Sequence, residues 1–575
     1  MIDALMEKGS SSELQTLREG AEEEGSQEAV SARNDQIALK MNWGLLGQAL
    51  HQIAPNALVL YSAAGGATLS FPEGTSHELR AWVTTWPIWV QRKLPGVHLS
   101  QAWVHIDDAG GDPIAALAAR LAVARNLPYA ELPQVGPIVE RTTSGTAAVG
   151  YYQKPERRGK GRLVDAASRE QLRFAHERPG RADEQLLTGD APNAPRSALQ
   201  LRLRKRFFPD LKDEHLLPVD HEDLAGATPG ERSYLAVIHA DGNRIGRHLR
   251  GLSVDEISVF SQALAKVTLH ATWEACDQYL QPEEGSTFAL GRPIVIGGDD
   301  LTAVVRADKA IGFVRAYLEA FERISRDLIC ARGLLRDSSV QTLTACAGVA
   351  FVRAGHPFKD ALHLAEELCT SAKTAWRNSL SAQAGAEVSA AEGGAAEGGP
   401  SLIAFQRVTD SVAYLDQRVD RVGPEKATSE RPWRRLGPYH LDGGALADDA
   451  RARGFCSIEQ ILSAADALSS EEVASGRVRG VVDWVSRAAE GLDPIYAERE
   501  WERIEQINTD RARKRERRQE ATQHGWRAAR AALAEIHPDL LRGPWLNARG
   551  LRRSPWVELY ELIACDVARG EARAR

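Results

Sequence analysis

The spacing of apolar positions changes along this chain, and each change marks an element. Residues 234–240 are an almost unbroken apolar run that stops on Asp241-Gly242-Asn243, the profile of a buried strand ending on a carboxylate. Ser253 then precedes a helical spacing of Phe260, Leu264 and Val267 and is read as the helix N-cap. Residues 293–305 are two β-branched runs broken by Gly297-Gly298-Asp299-Asp300, which predicts a tight hairpin with adjacent carboxylates at its tip. Asp308 is read as the cap of a second helix, whose stripe runs through Ile311, Val314, Leu318, Phe321, Ile324 and Leu328. A strand over 343–352, a helix near 359–378 and a strand at 402–405 complete the module. Its core order, β-α-β-β-α-β, is ferredoxin-like.

A weaker copy of this pattern lies nearer the N-terminus. Residues 57–71 read as strand, Gly65-Gly66 turn, strand, with Ala67-Thr68 where the other hairpin has its aspartates. A helix rich in tryptophan (Trp82, Trp86, Trp89) and a strand over 102–106 are predicted after it. Two related modules, one without carboxylates, are therefore expected. Residues 1–36 read as a polar tail, 37–150 as the degenerate module and 151–230 as an Arg-, Pro- and Gly-rich connector. Residues 231–430 form the second module, with a low-complexity insert at 390–399 read as a loop. From 431 to 575 the pattern is helical.

The length of 575 residues predicts several domains. A net charge of −7 provides no global basic field, so any nucleic-acid role needs local patches or partner subunits. One dense basic run, residues 511–518, is read as a solvated helix face. The six cysteines are scattered with no Cys-x-x-Cys pair, which argues against a cysteine-ligated zinc and against a disulfide framework. No run approaches membrane-spanning length, so a cytoplasmic protein is expected.

The chemistry concentrates in Asp241, Asp299 and Asp300. Neighbouring carboxylates repel one another unless a cation lies between them. A strand ending in Asp, a helix, and a hairpin carrying Asp-Asp is the arrangement of a palm-type nucleotidyl-transfer site, which holds two divalent cations. The backbone carbonyl of Gly242 is a further candidate ligand. Oxygen donors and a phosphate substrate favour Mg²⁺ or Mn²⁺. Lys373, on the third helix, is placed to meet a phosphate, whereas His239 is read as structural.

Taken together these residues resemble the large subunit of type III CRISPR effector complexes, the polymerase/cyclase family of the Csm and Cmr types. The resemblance is carried by residues 241–246, by Gly297-Gly298-Asp299-Asp300, by residues 347–350 and 356–358, and by the helix from Ala365 to Lys373. The stretches 61–67 and 437–442 are similar to the family's first palm and to the entry of its C-terminal helical domain. The resemblance implies an α+β fold of two ferredoxin-like palm domains, a connector and a C-terminal helical domain. It implies synthesis of cyclic oligoadenylates from ATP in antiviral defence, beside other effector subunits, guide RNA and target RNA. Asp241, Asp299 and Asp300 would ligate metal, with Gly242, Asn243, Gly297, Gly298 and Lys373 around the nucleotide. Gly65 and Gly66 would shape a second ATP pocket. The family's HD nuclease domain is not expected, because the chain has no His-Asp dipeptide, and the usual zinc-ribbon cysteines are not found. A diguanylate cyclase is disfavoured because Asp300-Leu301, not Glu-Phe, follows Asp299. A stand-alone synthase or a non-catalytic scaffold subunit are the alternatives.

Overall fold

The computed structural model describes residues 44–126, 198–224 and 234–383 apart from short breaks, together with 150–152, 162–169 and 399–408. Beyond these it describes 435–567 apart from short stretches and 511–524. The polar tail, the insert at 390–398 and the basic run at 511–518 lie outside the described residues. The chain divides into two compact units, Met1–Val219 with Leu249–Ser261, and Asp220–His248 with Gln262–Arg575.

In the first unit, α1 (Gly44–Ile53) leads into the antiparallel hairpin β1 (Leu58–Ala63) and β2 (Gly66–Ser70), followed by α2 (Ser76–Lys93). Leu46, Leu50, Trp82, Trp86 and Val90 form its core, and the three tryptophans of α2 stack in series. The hairpin register corrects one expectation. Ala63 pairs with Gly66, so Gly66 begins the return strand while Ala67 and Thr68 lie inside it, opposite Ser62 and Tyr61. The strand expected over 102–106 does not form: those residues join no ladder, and Trp103 and Ile106 are 49% and 62% exposed. Apolar alternation alone supplies no hydrogen-bonding partner. Helix α3 (Pro113–Asn126), a short pair β3 (Gly150–Tyr152) and β4 (Arg162–Val164), and α4 (Ala198–Phe207) are the other labelled elements here.

The second unit is built on one sheet. Its elements are β5 (Tyr234–Gly242), α5 (Val254–Tyr279, which belongs to this unit from Gln262 on), β6 (Gly291–Gly297), β7 (Asp300–Arg306), α6 (Ala310–Ser325), β8 (Ala345–Arg353), α7 (Phe358–Gln383), β9 (Leu402–Arg407) and β10 (Tyr439–His440). The strand order is β10-β9-β8-β5-β7-β6. Within it, β8-β5-β7-β6 is the 4-1-3-2 order of a ferredoxin-like fold, with β5 flanked antiparallel by β7 and β8. Strand β9 adds in parallel to β8 after α7, the connection a parallel pair requires.

The sheet is buried on both faces, which explains the unbroken apolar runs. Leu235 and Val237 of β5, Val304 of β7, and Cys346, Ala350 and Val352 of β8 point to one face, where they meet Leu364, Leu368 and Trp376 of α7. Ala236, Ile238, Ala303, Val349 and Phe351, in the alternate positions, are also fully buried. Helix α7 approaches very closely at Gly348: a Cβ there would lie 2.0 Å from the carbonyl oxygen of Ala365.

Two local readings need correction. Asp308 does not cap a helix, because Arg306 grips both of its oxygens, Nε at 2.5 Å and a terminal nitrogen at 2.6 Å. The α6 stripe holds through Ile324, then a π turn over Arg326–Cys330 shifts the phase by one residue. Ile329 is thereby buried in place of Leu328. At Ser253 the cap is present and reciprocal: the Glu256 backbone N–H donates to Ser253 Oγ at 3.3 Å, and the Ser253 N–H donates to the Glu256 carboxylate at 2.6 Å.

The C-terminal part is largely helical, with α8 (Ile458–Ser469), α9 (Ser475–Ala489), α10 (Gly525–Ile536), the short hairpin β11 (Leu546–Ala548) and β12 (Leu551–Arg553), and α11 (Trp556–Ala564). The uniformly helical reading missed these two strands and β10, which are too short to show a period. Glu558 and Glu561 of α11 tie this part to the sheet. Arg435 donates to Glu561 at 2.6 Å, and the backbone N–H groups of Leu436 and Gly437 donate to Glu558 at 2.9 and 2.8 Å. No described helix is long and apolar enough to cross a membrane.

Gly348→Val must drive α7 off the sheet. Loss of about 2 kcal/mol or more of stability is expected, in the upper range for overpacking, measured as a lowered urea midpoint.

Candidate active site

Period-two geometry brings the acidic residues together. Asp241 continues the series Leu235, Val237, His239 on the α7 face of β5. Asp300 continues the series Val304, Thr302 on the same face of the adjacent strand β7, where Thr302 is the register partner of His239. Asp299 stands in the two-residue loop between β6 and β7, closed by the pairing of Gly297 with Asp300. Gly298 occupies the first loop position at φ +62°. One carboxylate oxygen from each of Asp241, Asp299 and Asp300 lies within 4.8 Å of the others.

Backbone contacts hold this arrangement. A Cβ on Gly242 would meet Ile245 at 2.6 Å and the Cβ of Asp299 at 2.9 Å, so only glycine lets the hairpin tip close on the end of β5. Thr268, fully buried on α5, donates its hydroxyl to the Gly298 carbonyl at 2.5 Å and pins the loop from behind. Asn243 is buried and its amide is occupied: Nδ2 lies 2.9 Å from Thr344 Oγ1, 3.3 Å from the Gly399 carbonyl and 3.2 Å from that of Pro400. That side chain braces the turn carrying the Gly242 carbonyl. Gly297, also buried, closes the hairpin. His239 lies 3.4 Å from Thr302 Oγ1 and is held below its ordinary pKa by burial, consistent with a structural role.

Lys373 reaches this centre from α7. It borders the buried stripe of Leu368, Cys369, Ala372 and Trp376, so its stem runs along the sheet. The ammonium donates to Asp241 Oδ2 and, at 2.8 Å, to the Gly242 carbonyl. Burial pushes all three carboxyls upward, but the Lys373 charge outweighs it at Asp241, which is held below the usual range. Asp299 is pushed up to about 7 by burial and then by Asp241. Asp300 is pushed up to about 8 by burial, Asp299 and Asp241. Three anionic groups and one ammonium leave uncompensated negative charge, which is resolved by taking up protons or a further cation.

The donor set fits a divalent cation. It consists of three carboxylates and a backbone carbonyl, all oxygen, and a cation already sits against two of these groups. Sequence reading did not single out the arginines around the site. Arg244, at φ +57°, has its pKa lowered by burial and by the charges of Arg247 and Arg377, so these three arginines lie near one another. The spacing of Arg377 from Lys373, i to i+4 on α7, was the available signal. Thr268 gave none, because its partner is a carbonyl distant in sequence. Gly66 lies in the first unit, exposed at the loop end of the β1–β2 hairpin, and Gly65 is outside the described residues.

Residues 234–381 match the family model "Cas10/Cmr2, second palm domain". No curated protein matches the chain in sequence. Among solved structures, Csm1 of T. onnurineus is 12% identical, with a TM-score of 0.38, over 92% of this chain and 64% of that one. A Csm1-Csm4 cassette in complex with cA4 is 12% identical, with a TM-score of 0.30, over 60% of this chain and 49% of that one. The same cassette with pppApA is 14% identical at the same TM-score and coverage. These likenesses are distant, and the chain spans between about half and two thirds of the chains it matches.

The raised carboxyls set a pH dependence. An unfolded carboxyl titrates near ~3.9, so between there and about 7 to 8 the folded metal-free protein retains protons that the unfolded chain has released. The contribution of these two carboxyls to stability is therefore greatest at the acidic end and is lost as pH rises through that window, while His239, His248 and His270, held below their usual range by burial, act in the opposite direction. In EDTA the carboxyl contribution should lower the melting temperature between pH 5 and pH 8. Asp299→Asn with Asp300→Asn should flatten this slope, leaving a remainder from Glu558, which burial pushes up to about 7.

Proposed function

We propose that this chain, whose residues 234–381 match the second palm domain of the Cas10/Cmr2 family, is a large subunit of type III CRISPR effector complexes and joins ATP into cyclic oligoadenylates. The observation that carries this reading is the convergence of Asp241, Asp299 and Asp300 at one end of the palm sheet. Two Mg²⁺ or Mn²⁺ ions held there would supply charge neutralisation for an attacking 3′-hydroxyl and for departing pyrophosphate.

The chain's own residues then have defined tasks. Asp241 and the hairpin aspartates would hold the cations, and the Gly242 carbonyl would add a ligand. Gly297 and Gly298 keep the tip free of side chains where the nucleotide approaches. Asn243 keeps the Gly242 carbonyl aimed by tying its turn to Thr344 and to residues 399–400. Lys373 carries a mobile point charge to the triphosphate. The resemblance assigns a second nucleotide to Gly65 and Gly66, in a stretch of sequence that carries no carboxylate. Effector subunits with guide and target RNA are the partners, in a reducing cytoplasm compatible with six free cysteines.

The test is incubation of the chain, alone and within its effector complex bound to target RNA, with labelled ATP and Mg²⁺. Metal-dependent oligoadenylate is expected. Asp299→Ala with Asp300→Ala should reduce it by about a thousandfold or more, since several kcal/mol of transition-state stabilisation disappear. Wild-type rates from that variant would remove the assignment. Gly66→Leu, at an exposed position, should lose synthesis while retaining Mg²⁺-dependent binding of one ATP. Undiminished synthesis would make the first hairpin a scaffold only.

A further inference from the structure

We propose that Lys373 is the built-in occupant of the cation site, so that a divalent ion binds well only when a nucleotide's phosphates take the lysine away. This inference rests on the metal-site reading above and adds an order of binding to it.

The Lys373 ammonium makes two contacts, and both are with groups a metal would need: a carboxylate oxygen of Asp241 and the Gly242 carbonyl at 2.8 Å. The ammonium occupies the space beside Asp241 Oδ2 and the Gly242 carbonyl oxygen that a metal ion bound to both would take, although each oxygen keeps a second lone pair. An ammonium and a divalent ion sharing them would also repel strongly in a half-buried setting, where solvent screens little. The Lys373 and Asp241 side chains are 22% and 37% exposed, so the pair is neither fully buried nor freely solvated.

The lysine cannot retreat inward, because its helix is locked to the sheet at Gly348 and its inward neighbours are the buried Cys369 and Ala372. It has a flexible four-carbon stem and can swing outward. A triphosphate offers it replacement anions, so nucleotide arrival exchanges one set of ion pairs for another without leaving a charge unpaired. Metal without nucleotide must instead displace the lysine into water. The consequence is a site that discriminates against bare metal.

The test measures Mn²⁺ binding to the full chain by the electron paramagnetic resonance of free Mn²⁺, with no nucleotide present. Lys373→Gln should bind Mn²⁺ about tenfold tighter than wild type or more, the effect of removing an adjacent like charge. Lys373→Arg should stay near wild type. A non-hydrolysable ATP analogue should tighten Mn²⁺ binding in wild type more than in Lys373→Gln. Equal or weaker nucleotide-free binding by Lys373→Gln overturns the proposal. Asp241→Asn separates the two readings: Mn²⁺ binding unchanged in that variant would defeat the metal site itself. A second measurement uses only wild-type protein. Acylation of the Lys373 amine, followed by mass spectrometry, should accelerate several-fold under saturating Mn²⁺ alone, and an unchanged rate counts against displacement even if the glutamine variant does not fold.

Discussion

Carboxylates whose oxygens approach within 4.8 Å repel one another, and a cation among them relieves that repulsion. Much of the second unit can be understood as a means of enforcing that approach. The hairpin tip is driven onto the end of β5 because residue 242 has no side chain, and it is held there by Thr268 from the α5 side. The repulsion this creates is relieved in part by Lys373, and together with burial it pushes the Asp299 and Asp300 carboxyls up. The three carboxyls thus carry more negative charge than the single Lys373 ammonium offsets.

The surrounding fold supplies stiffness. A sheet with α7 on one face and apolar side chains closing the other has little freedom to splay. The contact between the α7 backbone and β8 at Gly348 fixes how far along the sheet Lys373 projects. The two acidic strands are adjacent and antiparallel, so Asp241 and Asp300 sit at the same end with side chains on the same face. Palm chemistry asks for carboxylates on neighbouring strands, and the 4-1-3-2 order places the first and third strands side by side.

The two hairpins show how similar backbone motifs diverge. In the second unit the pair Gly297 with Asp300 closes the loop, and in the first Ala63 pairs with Gly66. Gly66 therefore holds the register position that Asp300 holds in the palm. Aligning the two by their glycine pairs had set Ala67 and Thr68 against the aspartates. Either alignment leaves the first hairpin without a carboxylate, and the asymmetry of the proposed reaction follows from that.

The ferredoxin-like order, the hairpin and the three aspartates were legible in the sequence, because unbroken β-branched runs, a Gly-Gly-Asp-Asp turn and helical spacing are local signals. So was the Ser253 cap, whose partner Glu256 lies three residues on. Tertiary structure decided what local pattern could not: that Asp308 serves Arg306 and not a helix, that residues 102–106 have no strand to pair with, and that a π turn exchanges Leu328 for Ile329. It also decided that Asn243 faces inward to brace a turn and that Lys373 meets Asp241 across 132 residues of chain. The reason is physical. Periodicity records which face of an element is buried, while ion pairs and register depend on which element lies opposite, and that is fixed only when the chain has packed.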